Sequence, residues 1–129
     1  MENNILVVED DFANQQVAVL FLKKFGYETE IADNGAIAVE LAQIKKYSLI
    51  LMDCQMPIMD GFTSTRTIRS SDGPNQNTPI IALTANLVSG IHGDCEESGM
   101  DDILNKPVTM KAMQAMVVKW INKSSELQS

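Results

Sequence analysis

The sequence contains few aromatic residues, few cysteines and no long apolar run, and each shortage excludes a class of protein. Aromatic residues make up 5% of the 129 residues, so we expect a core built mainly from Ile, Leu, Val, Met and Ala. Cys54 and Cys95 are too few for a disulfide framework, and their spacing matches no zinc-binding pattern. We therefore predict that both are reduced thiols.

Signals for export and for membrane insertion are also missing from the sequence. Residues 2–4, between Met1 and the first apolar run, carry no basic group. The apolar run itself, at 5–8, is too short for a secretory signal. No stretch approaches the ~20 apolar residues of a membrane span. The net charge of −7 argues against direct binding of nucleic acid or of an anionic membrane surface. We predict a cytoplasmic chain that neither enters a membrane nor binds nucleic acid itself.

Short apolar runs alternate with helical patterns along the chain. The β-branched run at 5–8 is typical of a strand covered on both faces. Val17, Leu20, Phe21 and Phe25 recur at helical spacing and predict the first helix. The predicted strands span 5–8, 28–32, 49–52, 79–84 and 101–105, and the predicted helices span 12–25, 35–45, 62–70, 87–98 and a last segment from about 110. We predict one domain over residues 1–122, followed by a polar, frayed tail at 123–129.

Five β-α units in this order predict a parallel sheet with helices on both faces. Right-handed crossovers make this a doubly wound α/β fold, in which ligands bind at the carboxyl ends of the strands. The predicted strands end in polar groups at that edge: Glu9-Asp10-Asp11 after the first, Asp53 at the third, Thr84 at the fourth and Lys106 after the fifth. Because these ends meet on one small patch, the sequence predicts a functional site there.

The acidic residues of this patch indicate a metal site. Glu9, Asp10 and Asp53 would stand close together, and close carboxylates repel one another. A hard divalent cation relieves the repulsion, and Mg²⁺ typically uses one or two carboxylates together with waters and phosphate oxygens. A plainer alternative is that Glu9 and Asp10 are only solvated while Asp11 caps the next helix. We predict the cap for Asp11 and the metal site for the other acids.

The remaining residues of the patch suit phosphoryl chemistry. The Asp53 carboxylate is a competent nucleophile toward phosphorus if the incoming charge is neutralised. Lys106, placed by the following Pro107, is in position to pair with Asp53 and then with its phosphate. Thr84 offers a hydroxyl that binds either a phosphate oxygen or a local backbone group.

At these residues the chain resembles the receiver domains of response regulators and hybrid sensor kinases, over nearly its whole length. Receiver domains attached to hybrid kinases, which trade phosphate with a histidine phosphotransfer domain, are the most similar. The resemblance rests on ILVVED at 5–10, MDCQMPIMDG at 52–61, ALTAN at 82–86, GMDD at 99–102 and KPV at 106–108.

The resemblance implies a flavodoxin-like sheet of order 2-1-3-4-5 and a phospho-accepting switch rather than an enzyme. It implies that a histidine kinase or a histidine phosphotransfer domain donates the phosphoryl group to Asp53. It further implies Mg²⁺ (or Mn²⁺) as cofactor. The implied metal ligands are the acid pair Glu9 and Asp10, the Asp53 side chain and the Gln55 backbone carbonyl; the implied phosphoryl contacts are Thr84, Lys106 and the Ala85 backbone amide.

One position departs from the family pattern. Receivers commonly carry an aromatic residue three positions before the lysine, where this chain has Ile103. An aromatic swing coupled to Thr84 therefore cannot occur here. Phosphorylation does not depend on that swing, whereas the transmission of the signal does.

Other functions remain as alternatives. A haloacid dehalogenase-type phosphatase expects a second Asp where this chain has Gln55, and it needs a longer chain. A receiver-like binding module that accepts no phosphate would have lost one of the key residues, and none is lost. A flavin-binding relative would need a phosphate-binding loop where this chain has three acids. No histidine-kinase motif surrounds the lone histidine, His92, and the sequence has no Gly-rich nucleotide loop, so we expect the phosphoryl donor to be another domain or chain. His92 itself is predicted to be a surface residue of a helix.

Overall fold

The computed structural model describes residues 4–85 and 90–128 of the protein, with side chains as far as Asn122. Strands and helices alternate along these residues in the predicted order. The strands are β1 (Asn4–Val8), β2 (Glu28–Ala32), β3 (Leu49–Asp53), β4 (Ile80–Thr84) and β5 (Asp102–Asn105). The helices are α1 (Phe12–Lys24), α2 (Gly35–Ile44), α3 (Gly61–Ser70), α4 (Ile91–Ser98) and α5 (Met110–Gln128).

The five strands form one parallel sheet of order β2-β1-β3-β4-β5, which confirms the predicted fold class. In this register Val8 at the end of β1 lies beside Ala32 on one side and Met52 on the other. Thr84 at the end of β4 lies beside Asn105 of β5. The chain crosses to opposite sides of β1 to form β2 and β3, so the strand order reverses there. The switch point therefore lies at the carboxyl ends of β1 and β3, where such sheets bind ligands.

The core consists of two apolar layers, one on each face of the sheet. Successive side chains of a strand point to opposite faces, so neighbouring residues of β1 belong to different layers. Leu6 and Val8 pack with α2, α3 and α4, whereas Ile5 and Val7 pack with α1 and α5. The central strands β1, β3 and β4 are buried along their whole length because both of their faces are covered.

Four of the described helices begin at a side chain that accepts a hydrogen bond from the backbone of the first turn, and for α5 this side chain is Thr109, which accepts from the Ala112 amide at 3.1 Å. Asp11 accepts from the Asn14 amide at 2.9 Å, which confirms its predicted capping role. Asn34 and Asp60 cap α2 and α3 in the same way. These caps satisfy amides that have no partner within the helix, and they place each helix start at the carboxyl edge of the sheet.

The buried face of α1 matches the predicted apolar stripe only in part, because Phe21 and Phe25 pack against the core whereas Val17 and Leu20 do not. Val17 is 45% exposed and Leu20 is 58% exposed, whereas Ala18 and Leu22 are buried. Gln15 shares the buried stripe at helical spacing with these two residues. A small residue such as Ala18 lets the helix backbone approach its neighbours closely, so side-chain size did not indicate the buried face.

The helix boundaries differ from prediction at two places. Helix α5 runs to Gln128, so the backbone of 123–128 continues the helix where the sequence predicted a frayed tail. Part of the predicted helix at 87–98 is confirmed as α4, while Asn86 and residues 87–89 lie outside the described residues. Within the described part of the chain, no helix is long and apolar enough to cross a membrane.

Both cysteines are unpaired and buried in the layer that contains α4. Burial, and to a smaller extent the neighbouring Cys95, raise the pKa of the Cys54 thiol to about 12. Cys54 is therefore a neutral thiol at physiological pH, and it fills space beside Asp53 as a small apolar group.

Gly61 allows α3 to begin in direct contact with the end of β3. Its amide donates to the Cys54 carbonyl at 3.1 Å. A Cβ atom at this position would lie 2.2 Å from the Asp53 carbonyl oxygen and 3.0 Å from Cγ of Met52. No side chain fits at that distance, so glycine is required for the loop after Asp53 to close.

We expect Gly61→Ala to lower the free energy of unfolding by about 1–3 kcal/mol or more, because the added methyl displaces backbone of the site itself. Gly93→Ala is the matched control, since a Cβ there meets nothing within 4 Å. This change lies in α4 and should leave stability unchanged or raise it by up to about 1 kcal/mol. Urea denaturation of the two variants measures the difference, and equal stabilities would contradict the steric argument.

Candidate active site

The predicted site residues meet in one cleft at the carboxyl edge of the sheet. The cleft has a volume of about 320 Å³ and lies over the ends of β1, β3 and β4 and the loop after β5. Its lining contains every predicted site residue together with two neighbours: Glu9, Asp10, Asp11, Asn14, Asp53, Gln55, Thr84, Ala85 and Lys106. The parallel register of the strands thus brings together residues as distant in sequence as Glu9 and Lys106.

Among the described residues that line the cleft, Lys106 is the only one with a cationic side chain, and it contacts two buried carboxylates. Its Nζ lies 2.8 Å from Oε1 of Glu9 and 3.1 Å from Oδ2 of Asp53. The Lys106 side chain is 18% exposed, so one part of the ammonium faces the cleft. The sequence predicted the pair with Asp53; the shorter contact to Glu9 is an addition from the structure.

Burial and neighbouring charges shift the pKa of Glu9 and the pKa of Lys106. Burial raises the pKa of Glu9, the hydrogen bond from Lys106 lowers it and the Asp53 charge raises it, and the net shift is upward. Burial lowers the pKa of Lys106, but the bond to Glu9 and the charge of Asp53 outweigh burial and raise it. Lys106 therefore keeps its proton at any physiological pH.

Asp53 is held at the floor of the cleft from two directions. Its Oδ1 accepts a hydrogen bond from the Gln55 amide at 3.3 Å, while Oδ2 faces Lys106. The Asp53 side chain is 7% exposed, whereas Asp10 stands at the exposed rim. A carboxylate in this position is fixed in orientation and still opens onto the cleft.

The acidic residues can hold a divalent cation. One carboxylate oxygen from each of Glu9, Asp10 and Asp53 lies within 4.8 Å of the others. When these three groups are ionised they carry three negative charges, and Lys106 neutralises one of them. Two negative charges remain among oxygen ligands, which is the charge and donor type that suit Mg²⁺. The donor set therefore fits the predicted metal.

Thr84 and Ala85 form the wall of the cleft on the β4 side. Thr84 is buried, and its carbonyl accepts a hydrogen bond from the Lys106 amide at 2.8 Å. This bond extends the pairing of β4 and β5 and fixes the start of the loop that carries Lys106. Ala85, at the next position, is exposed to the cleft.

Two polar residues of α1 belong to the site region but were not among the predicted residues. Asn14 lines the cleft, and Gln15 donates a hydrogen bond to the Glu9 carbonyl. The sequence contained a signal for Gln15, since a polar residue on the buried stripe of a helix requires a hydrogen-bond partner. Asn14 carries no comparable signal, because an exposed Asn in the first turn is common at caps.

His92 lies apart from the acidic cleft. It is exposed on α4, as predicted, and lines a separate groove of about 430 Å³ between α4 and β5. Ile103 lies in the same groove and is partly buried against the α4 layer. Asp102 beside it accepts hydrogen bonds from Lys119 and from the Trp120 indole, both at 2.9 Å. Hydrogen bonds from α5 to Asp102 therefore connect β5 to α5 next to Ile103.

The sequence matches a family model described as response regulator receiver domain over residues 5–118. It is 44% identical over 117 residues to the hybrid signal transduction protein dokA of Dictyostelium discoideum. The match covers 91% of this chain and 7% of dokA, so the chain spans a small fraction of that relative.

Two solved structures show the same fold at substantial identity. The receiver domain of the sensor histidine kinase PA1611 from Pseudomonas aeruginosa is 38% identical, with a TM-score of 0.87 and coverage of 95% of this chain and 99% of that one. Its structure holds a magnesium ion coordinated in the active-site cleft. A co-crystal structure of the Saccharomyces cerevisiae phosphotransfer protein Ypd1 with the receiver domain of Ssk1 matches at 30% identity and a TM-score of 0.83, covering 92% and 88%.

We expect Lys106→Met to lower the free energy of unfolding at about pH 7 by about 2 kcal/mol or more, because it leaves buried carboxylates without their cation. The deficit should shrink toward pH 5. Glu9, whose pKa is raised by burial and by Asp53, then binds a proton more readily in the folded state than in the unfolded chain, so stability rises as pH falls. Urea denaturation in a chelator at the two pH values measures this.

The control for this variant is Lys119→Met, which removes an exposed ion pair with Asp102. Such pairs contribute at most about 1 kcal/mol, so this variant should lose little stability. A Lys106→Met deficit that is no larger than the control, or that grows as pH falls, would contradict the electrostatic account.

Proposed function

Since the chain belongs to the response regulator receiver domain family of two-component and phosphorelay signalling, we propose that Asp53 is its phosphoacceptor and that Mg²⁺ in the acidic cleft supports the transfer. The observation that carries this proposal is the convergence of three carboxylates and Lys106 at the switch point of the sheet.

Asp53 is favoured as acceptor over the other aspartates near the cleft. Asp11 and Asp60 are each occupied as helix caps. Asp10 stands at the exposed rim, where water screens an incoming charge. Of these aspartates, Asp53 is the one that combines a buried, oriented carboxylate with an adjacent ammonium, which lowers the repulsion against an approaching phosphoryl group.

The metal would be held by the side chains of Glu9, Asp10 and Asp53 and by the Gln55 carbonyl. When bound, Mg²⁺ neutralises charge on the phosphoryl oxygens. Lys106, which is already oriented by Glu9, would form an ion pair with the phosphoryl group once Asp53 is modified. The Thr84 hydroxyl and the Ala85 amide would donate to the remaining oxygens, where a phosphoryl group needs several donors.

The proposed reaction forms one bond and breaks one. A carboxylate oxygen of Asp53 attacks phosphorus in line with the P–N bond of a phosphohistidine. The new P–O bond forms as the P–N bond breaks, and the electron pair goes to the imidazole nitrogen of the donor. Water later attacks the acyl phosphate, which returns the Asp53 carboxylate and releases phosphate.

The donor would be a histidine kinase or a histidine phosphotransfer domain. The Ypd1 complex with the Ssk1 receiver domain supports the second kind of partner for chains of this family. We propose that this chain is a switch without turnover of an outside substrate. Its output surface would be the α4–β5 side, and a cytoplasmic location remains a prediction from the sequence.

We expect wild-type protein incubated with acetyl phosphate and Mg²⁺ to gain one phosphoryl group by intact mass. The gain should require Mg²⁺ and should be absent in Asp53→Asn, which keeps the shape of the side chain but lacks the nucleophilic oxygen. Asp11→Asn is the matched control, because asparagine also caps helices well, and it should be modified like wild type.

The rivals give different results in the same experiment. A chain that binds Mg²⁺ but gains no mass would be a phosphate-independent binding module. Continuous release of phosphate at enzyme-like rates would favour the phosphatase. Addition of a phosphoryl group to Asp53→Asn would remove Asp53 from its proposed role.

A further inference from the structure

Gln15 is a buried polar residue on the apolar side of α1. It is 7% exposed and lies on the same stripe as Ala18 and Leu22, which pack against the sheet. A buried amide is costly unless its hydrogen bonds are made. Its position one turn after the Asp11 cap places it beneath the acidic end of β1.

The side-chain amide of Gln15 donates two hydrogen bonds to two separate elements. Nε2 lies 2.7 Å from the Glu9 carbonyl oxygen and 2.8 Å from Oδ1 of Asp33. Glu9 follows the end of β1, and Asp33 follows the end of β2. Both donor hydrogens of the amide are therefore used at the carboxyl edge of the sheet.

The Glu9 carbonyl belongs to the peptide unit that also contains the Asp10 amide. A peptide unit is planar, so the orientation of this carbonyl fixes where the Asp10 Cα begins. The other groups of Glu9 are held elsewhere: its amide donates to Ala32, and its carboxylate is held by Lys106 and by the Asp11 amide. Within the described part of the chain, Gln15 is the side chain that donates to this carbonyl.

The Asp10 side chain is more exposed than the side chains of Glu9 and Asp53. It is exposed, and the acid cluster needs its carboxylate near those of Glu9 and Asp53. The direction of that carboxylate therefore depends on the backbone that carries it. We propose that Gln15 is a positioning residue for the divalent-cation site, which acts by fixing the Glu9–Asp10 peptide; this inference rests on the proposed Mg²⁺ site.

Groups that hold metal ligands by hydrogen bonds commonly change metal affinity by about 10-fold or more when they are removed. Gln15→Met keeps the length of the side chain and its helix propensity but removes both donors. We expect the dissociation constant for Mg²⁺, measured by calorimetry, to rise about 10-fold. Half-maximal phosphorylation by acetyl phosphate should need about 10-fold more Mg²⁺, while the rate at saturating Mg²⁺ stays within about twofold of wild type.

Two further variants separate positioning from support of the fold. Gln43→Met removes an amide whose Nε2 donates to the Ser71 hydroxyl at 2.9 Å, far from the cleft, and should leave Mg²⁺ affinity unchanged. Asp33→Ala removes one partner of Gln15 and retains the bond to Glu9, so it should weaken Mg²⁺ binding less than Gln15→Met. Gln15→Asn, with a shorter reach, provides the same test if Gln15→Met does not fold.

Mg²⁺ affinity within about twofold of wild type in folded Gln15→Met or Gln15→Asn would overturn the inference and leave Gln15 as a structural link between the end of β1 and the turn after β2. Calorimetry needs no phosphorylation, so the inference and the proposed function fail in different ways. Wild type that binds Mg²⁺ but is not phosphorylated would contradict the proposed function alone.

Discussion

The contacts of Lys106 with Glu9 and Asp53 are the interaction on which the site depends. Three carboxylates at one edge of a sheet repel one another, and two of them are almost completely buried. A single ammonium at 2.8 Å and 3.1 Å offsets part of that repulsion and leaves a surplus of negative charge. This surplus makes the cleft suitable for a divalent cation. The Lys106 ammonium would then pair with the oxygens of an incoming phosphoryl group. The same arrangement thus explains both the stability of the resting cleft and its proposed chemistry.

The sheet supplies the geometry that the charges require. Parallel strands in the order β2-β1-β3-β4-β5 bring the ends of β1, β3 and β4 together, and apolar layers cover both faces of those strands. Two individual residues then position the loops around the cleft. Gly61 lets α3 start against Asp53 without a clash, and Gln15 joins the end of β1 to the turn after β2. The Asp102 contacts with Lys119 and Trp120 connect β5 to α5 beside Ile103.

Much of this could be predicted from the sequence, because the signals were local. Apolar runs predicted the strands, and the polar residues at the ends of these runs predicted the carboxyl edge of the sheet. Asp11 was predicted to be a helix cap. The buried face of α1 was not predictable from apolar size, since Ala18 is buried while Leu20 is exposed. The Lys106 contact with Glu9 and the Gln15 contact with the Glu9 carbonyl depend on side-chain placement across elements. No spacing along the chain encodes such contacts, although a polar residue on a buried stripe does indicate that one exists.

The most direct test of the central claim is to locate the phosphoryl group on the chain. Protein treated with acetyl phosphate and Mg²⁺ would be reduced with borohydride, which converts an aspartyl phosphate to homoserine, and then digested for peptide mass spectrometry. The account predicts homoserine at position 53 and at no other acidic residue. Homoserine at Asp10, Asp11 or Asp60 instead would contradict the claim that burial beside Lys106 selects the acceptor.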